Sequence, residues 1–134
     1  MTAAPPCLHC QTAAEVRLVK GSKIYPTKKY LHHKKFWLCS TCGAYCGCHD
    51  QSFKPLGYPA DYATRQARSR LHNERLDPLW RSSTKGKRAA RRTEVYSYLS
   101  IRMGLNRDDT HIGMFTLEQC RAAWRLLGKF KSKI

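Results

Sequence analysis

Acidic side chains are scarce in this sequence. Nine aspartates and glutamates face 25 lysines and arginines, which leaves a formal net charge of +16 on 134 residues. A chain with so few negative charges repels itself and attracts polyanions. Nucleic acid is therefore the leading candidate for a partner, with an acidic protein surface and an anionic membrane behind it.

Long apolar runs are missing as well. No stretch approaches the roughly 20 apolar residues that are needed to span a bilayer. The N-terminal residues MTAAPPCLHC have neither the basic start nor the apolar run of a secretory signal. We therefore expect a cytoplasmic protein with no membrane partner, in a compartment where thiols stay reduced. The odd number of cysteines, seven, agrees with this expectation.

The chain also lacks the usual catalytic motifs. There is no glycine-rich phosphate loop and no serine or cysteine nucleophile motif. His72 and His111 could centre a nuclease, but hydrolysis of phosphodiesters also needs converging carboxylates or an open metal position. The acids near them, Glu74, Asp77 and Asp108, fit surface ion pairs and turns better. We predict a protein that is not an enzyme, with a nuclease as the least favoured alternative.

Two Cys-x-x-Cys pairs stand out among the residues that are present, Cys7 with Cys10 and Cys39 with Cys42. Four thiolates at about 2.3 Å from one ion form the closed tetrahedral site of a structural zinc. In a reduced compartment such pairs favour zinc over disulfides. Gly43 follows the second pair directly and permits a tight turn there. The sequence predicts one structural zinc ion bound by these four cysteines.

Three further metal-binding side chains follow the second pair in the stretch CSTCGAYCGCHDQ. On a strand, Cys46 and Cys48 would face one way and His49 the other, so the three cannot easily converge on one ion. We interpret both cysteines as small buried side chains. Replacement of one ligand of the first pair by Cys48 or His49 stays open. Cys120 lies on the apolar stripe of a helix and is assigned to the core.

The two halves of the chain predict different structures. Short β-type runs fill residues 15–20, 34–39 and 44–48, and helical patterns dominate from about residue 60. We predict one compact α+β protein, with a zinc-ribbon lobe and its short antiparallel hairpin at residues 1–52 and a small three-helix domain packed against it at residues 53–134. The helices are predicted at 61–76, stopped by Pro78, at 87–103, ended by Gly104, and after a capping box at Thr116–Gln119.

The positive charge is concentrated in two basic blocks, Lys20–Lys35 and Lys85–Arg92. Aromatic side chains interleave the first block, an arrangement that suits stacking on bases in single strands. The second block opens a helix, where the positive end of the helix dipole favours phosphate. No base-reading helix is recognisable, so we expect backbone contacts. The predicted nucleic-acid-binding residues are Lys28, Lys29, Tyr30, Lys34, Lys35, Lys85, Lys87, Arg88, Arg91 and Arg92.

Three segments together, CSTCGAYCGCH (39–49), KPLGYPAD (54–61) and HIGMFTLEQC (111–120), carry a resemblance to a known family. With the intervening helix they resemble phage and prophage proteins described as a zinc-finger-containing domain of unknown function. The resemblance implies a zinc site at the paired cysteines and a phage-associated setting, and it implies no reaction. The sequence departs from the family at Cys46, where an apolar residue is usual, and at Tyr58-Pro59, which interrupts the stretch after Gly57.

These observations predict a small basic phage protein that is held together by zinc and binds DNA or RNA in a bacterial host cytoplasm. The alternative is a phage effector that docks on a host protein machine, such as RNA polymerase, the ribosome or a defence complex. Both hypotheses use the same positive charge, which would engage phosphates in the first case and an acidic protein patch in the second.

Overall fold

The computed structural model describes residues 2–133 and has an α+β fold, as predicted. The chain divides into two compact units, one ending at Tyr62 and the other beginning at Ala63. A three-stranded antiparallel sheet organises the first unit, and helices dominate the second. Within the described residues, no helix has the length and apolar character required to cross a membrane.

The sheet consists of β1 (Val16–Lys20), β2 (Lys35–Cys39) and β3 (Tyr45–Gly47), in that order. The central strand reads KFWLC, a run of aromatic and apolar residues that suits a half-buried pleated surface. Trp37 of β2 lies opposite Leu18 on one side and Cys46 on the other. The predicted hairpin is therefore extended by a third strand, which places Cys46 beside the buried centre of the sheet.

A long excursion separates β1 from β2 and contains helix α1 (Gly21–Ile24) and a 3-10 turn at Lys29–Leu31. The two ends of this excursion are joined by a hydrogen bond of 2.7 Å that the Gly21 N–H donates to the Lys34 carbonyl. A Cβ at position 21 would overlap the carbonyl oxygen of Leu31, so only glycine fits there. The excursion carries the first basic block and accounts for the wide spacing between the two cysteine pairs.

The segment after β3 returns to the sheet before the helices begin. Tyr45 and Ala60 exchange two backbone hydrogen bonds of 3.2 Å each, and Cys48 forms a further bridge with Pro55. Residues 53–62 therefore lie in the first unit, although their sequence was assigned to the helical domain. Backbone pairing with β3 accounts for the difference.

Within the described residues, the second unit contains four α-helices, one π-helical segment and short 3-10 turns. The prediction that Pro78 stops the first helix is wrong, because helical backbone continues through a π segment to Arg81. Pro78 lies in the first turn of the element that follows the π segment, a position that tolerates proline better than a helix interior does. The elements are α2 (Tyr62–Arg70), the π segment (Leu71–Leu76), α3 (Asp77–Arg81), α4 (Arg88–Met103) and α5 (Leu117–Gly128).

Predicted start and stop residues bound the last two helices. Gly104 has a φ of +67° and ends α4. The capping box before α5 is confirmed: the Gln119 N–H donates to Thr116 Oγ1 at 3.1 Å, and the Thr116 N–H donates to Gln119 Oε1 at 2.9 Å. Cys120 lies in the apolar core of this unit as predicted. Burial raises the pKa of its thiol to about 11, so it stays neutral.

Candidate metal centre and nucleic-acid interface

The sulfurs of Cys7, Cys10, Cys39 and Cys42 form one cluster, with all four within 4.8 Å of one another. The sulfurs of Cys7 and Cys42 are 3.5 Å apart, and those of Cys10 and Cys39 are 3.8 Å apart. Ligands at about 2.3 Å from a tetrahedral zinc ion lie about 3.8 Å from one another. The donor set and its spacing therefore fit one structural zinc ion.

The first pair sits in a tight turn that precedes β1. The Gln11 N–H donates to the Cys7 carbonyl at 2.8 Å, and the Cys10 N–H points at the Cys7 sulfur from 3.5 Å. Gln11 closes the turn with a φ of +57°. The backbone therefore wraps the sulfur of Cys7, whose side chain is almost fully buried.

The second pair follows β2 in a similar turn. The Gly43 N–H donates to the Cys39 carbonyl at 2.8 Å, and the Cys39 N–H donates to the Ala44 carbonyl at the same distance. Gly43 has a φ of +80°, and a Cβ there would meet no atom within 4 Å. Backbone conformation, and not lack of space, thus makes glycine the suitable residue at this position.

The four thiols differ in how easily they ionise. Burial alone would raise the pKa of Cys39, but the backbone N–H groups of Cys42 and Thr41 outweigh it and lower that pKa to about 7. Hydrogen bonds with the sulfurs of Cys42 and Cys39 raise the pKa of Cys10 to about 12. The pKa of Cys42 is also raised, and burial of the thiol is the largest cause. Cys39 is therefore partly ionised at neutral pH without a cation, whereas Cys10 and Cys42 stay protonated at that pH until a cation binds.

Zinc affinity is expected to increase with pH. Zinc binds thiolates, so Cys10 and Cys42 must release protons on binding at neutral pH, and Cys39 must do so as well below about pH 7. Zinc-dependent stability is thus lost as the pH falls and is retained as it rises. Competition with a chelating dye between pH 6 and 8 measures this dependence. Cys48→Ser should show the same profile, and a flat profile would contradict the prediction.

The remaining sulfurs of the CSTCGAYCGCHDQ stretch lie outside the cluster. Cys46 is buried and donates to the Gly57 carbonyl at 3.4 Å. Cys48 is half-buried and donates to the Phe53 carbonyl at 3.7 Å. In the part of the chain that the structure describes, neither Cys48 nor His49 belongs to the four-sulfur group. The interpretation of Cys46 as a buried side chain is confirmed.

A histidine that the sequence did not single out joins the first turn to the segment before α2. His9 lies between the ligands of the first pair, and its Nε2 accepts a hydrogen bond of 2.9 Å from the Asp61 N–H. The Leu8 N–H donates to the Pro59 carbonyl at 3.0 Å. Because these partners are separated by about fifty residues of sequence, no local pattern could have revealed them.

The structure places the ten predicted nucleic-acid-binding residues in two separate groups, one in each unit. Lys35 is half-buried in β2, and Arg91 is half-buried with its guanidinium donating to the Leu79 carbonyl at 2.9 Å. The Arg92 guanidinium lies 4.8 Å from the centre of the Trp80 ring, although its side chain is exposed. The remaining predicted residues are all exposed: Lys28, Lys29, Tyr30, Lys34, Lys85, Lys87 and Arg88.

Neither basic block is neutralised by carboxylates within residues 2–133. The ion pairs there join His9 to Asp61, Arg70 to Glu74, and both His72 and Arg81 to Asp77. All of these lie outside Lys20–Lys35 and Lys85–Arg92. The cations of both blocks therefore form no ion pairs among these residues, although Glu94 interacts electrostatically with Arg91.

Comparison with known proteins gives one match. Residues 4–130 match the model of a protein family described as a zinc-finger-containing domain. The matched region includes both cysteine pairs, the sheet and all the helices of the second unit. No curated protein and no solved structure matches the chain.

Proposed function

This chain belongs to the family of zinc-finger-containing domains, and from that premise we propose that zinc holds a fold whose exposed cations bind DNA or RNA. The observation that carries the proposal is the positive charge of the two basic blocks. A protein with a net charge of +16, in which these cations form no ion pairs within residues 2–133, gains favourable energy from a polyanion. The zinc ion acts as a structural element and takes no part in a reaction.

The first block lies between β1 and β2, and β2 ends at the zinc ligand Cys39. Lys28, Lys29 and Lys34 are exposed along the excursion between β1 and β2. Tyr30 among them is 69% exposed, and the Lys28 ammonium lies 5.2 Å from the centre of the Tyr25 ring. Cations beside exposed aromatic rings suit contacts with phosphates and bases together.

The second block lies at the start of a 16-residue helix. Lys85 and Lys87 form a 3-10 turn that leads into α4, and Arg88 is the first residue of the helix. The positive end of the helix dipole adds to their charge. Since Arg91 and Arg92 contact neighbouring side chains and backbone, we assign the main phosphate contacts of this block to Lys85, Lys87 and Arg88.

We propose binding without sequence readout and without catalysis. Lysines on loops and turns contact the phosphate backbone, which carries no sequence information. The resemblance to phage and prophage proteins supports a setting in the cytoplasm of an infected bacterium. Incubation of plasmid DNA and RNA with Mg²⁺ or Mn²⁺ should leave both intact. Cleavage that is lost in His72→Ala or His111→Ala would overturn this part of the proposal.

Binding to random-sequence nucleic acid is expected to weaken steeply with salt. If about six phosphates are contacted, the logarithm of the affinity for duplex DNA should fall with a slope of about −5 against the logarithm of salt concentration. The triple variant Lys28→Ala, Lys29→Ala, Lys34→Ala should make this slope shallower by about 3. Fluorescence anisotropy between 50 and 300 mM salt measures both slopes.

A matched control variant tells whether the position of the lysines or only the total charge of the protein determines the salt dependence of binding. Replacing Lys129, Lys131 and Lys133 with alanine removes the same three charges from exposed positions outside both blocks. We expect this control to change the slope by less than about 1. Equal effects of the two triple variants would reject the assigned interface. Weak affinity that does not depend on salt would instead favour docking on a host protein machine.

A further inference from the structure

A cleft of about 660 Å³ opens in the first unit between the basic excursion and the turn that follows β3. We infer that this cleft holds one unstacked base of a single-stranded nucleic acid, an inference that rests on the proposed function and specifies its ligand. The volume lies within the range of roughly 300–1,000 Å³ that is typical of small-ligand sites. The lining residues that matter here are Tyr25, Lys34, Lys35, Phe36, Phe53 and Leu56.

One wall of the cleft is a turn held in place by its own backbone. Cys48 and Pro55 form a β-bridge across its base, and the Trp37 indole N–H donates to the Phe53 carbonyl at 2.8 Å. The side chains of Phe53 and Leu56 nevertheless stay 51% and 54% exposed. Single exposed apolar residues are ordinary, but two on one fixed turn that line the same cleft form a preformed apolar surface.

Gly47 also lines the cleft, and its lack of a side chain lets Leu56 approach closely. A Cβ on Gly47 would lie 3.2 Å from Leu56 Cδ1 and 3.9 Å from Phe36 Cε1. Beside it, the rings of Tyr25, Phe36 and Tyr45 pack edge to face with centroids 5.7 to 6.0 Å apart. The space is therefore flanked by aromatic rings on one side and by the exposed turn on the other.

The charge around the cleft suits the phosphates on either side of a bound base. Lys34 and Lys35 line it together with His33 and His49, and Asp50 is the single carboxylate among its lining residues. Duplex DNA keeps its bases stacked and cannot offer a ring face to this surface, whereas a single strand can. Aromatic walls with adjacent lysines thus favour one base of a single strand over a groove of a duplex.

The test compares a ten-nucleotide oligothymidine, the same oligomer with abasic sites, and a duplex hairpin. Base–aromatic stacking is worth a factor of roughly 5 to 160 in affinity per base. We expect the wild-type protein to bind the abasic oligomer at least about tenfold more weakly than oligothymidine. Phe53→Ala should lose most of this preference and keep its duplex affinity within about twofold. Phe53→Trp should restore the preference.

Ile101→Ala removes another exposed apolar side chain, in α4 and outside the cleft, and should leave all three affinities unchanged. Equal wild-type binding of oligothymidine and its abasic form, with the salt slope retained, would overturn this inference alone. Failure to bind any of the three probes at low salt would overturn the proposed function with it. Displacement of oligothymidine by an acidic apolar peptide but not by free thymidine monophosphate would also reject the base-binding assignment.

Discussion

Replacing Cys39 with serine is expected to unfold the first unit and to abolish stoichiometric zinc binding. The small core of this unit is built around Cys7, Val16, Trp37, Cys39, Ala44 and Cys46, so two of its six buried members are themselves zinc ligands. A structural zinc site contributes about 10–16 kcal/mol at neutral pH. This equals or exceeds the total stability of about 5–15 kcal/mol that folded domains usually have.

Elemental analysis and far-ultraviolet circular dichroism measure the result of this substitution. Chelation of the wild-type protein with excess EDTA should produce the same loss of β structure. Cys48→Ser is the matched control, because Cys48 is half-buried in the same unit but lies outside the four-sulfur group. It should keep one zinc ion per chain. Retention of zinc and structure in Cys39→Ser, or their loss in Cys48→Ser alone, would contradict the four-cysteine site.

The second large effect is expected in the helical unit, from Phe115→Ala. The Phe115 side chain is completely buried and packs in the cluster that contains Leu71, Leu76, Leu99 and the buried face of α5. Truncation of a buried phenylalanine leaves a cavity and usually lowers the free energy of unfolding by about 3–5 kcal/mol. The backbone carbonyl of Phe115 still accepts the hydrogen bond from Arg68 Nε, so the loss comes from packing alone.

Urea titration followed by the amide resonances of α4 and α5 measures this change without interference from the first unit. Ile101→Ala serves again as the control. Its side chain is 78% exposed on α4, so the free energy of unfolding should change by no more than about 0.5 kcal/mol. A loss below about 1 kcal/mol in Phe115→Ala would mean that the core repacks around the missing ring.

Features encoded by short spacings could be predicted from the sequence. Each cysteine pair lies in one tight turn, and two such turns are enough to bring four sulfurs together. The capping box at Thr116 and Gln119 is likewise a local exchange of hydrogen bonds. The strand segments followed from runs of apolar and aromatic residues such as KFWLC. In each case the determining contacts lie within a few residues of one another, or depend on the strict chemistry of one metal.

Features that depend on distant pairing could not be predicted. Residues 53–62 have the composition of a linker, and they are joined to the sheet by contacts between distant residues, among them the bridges from Tyr45 to Ala60 and from Cys48 to Pro55. The cleft brings Phe53 next to residues of the excursion between β1 and β2, which no periodicity relates. The continuation past Pro78 was missed because a proline usually ends a helix unless it falls in a first turn.

The π segment determines which side chains of the continuous helix formed by α2, the π segment and α3 face the core. Leu71 and Leu76 are both fully buried although they are five positions apart, whereas a regular α-helix brings residues three or four positions apart to the same face. A π-helical turn uses about one more residue than an α-helical turn. Every later side chain therefore points about 100° away from the direction it would have if the same residues formed an uninterrupted α-helix. Trp80 therefore reaches the core from a position where uninterrupted α-helical phase would direct it toward solvent. Deletion of a single residue between Leu71 and Leu76 would therefore allow regular α-helical geometry with the Trp80 indole still directed into the interior, whereas forcing the full-length segment into an α-helix would turn the indole toward solvent.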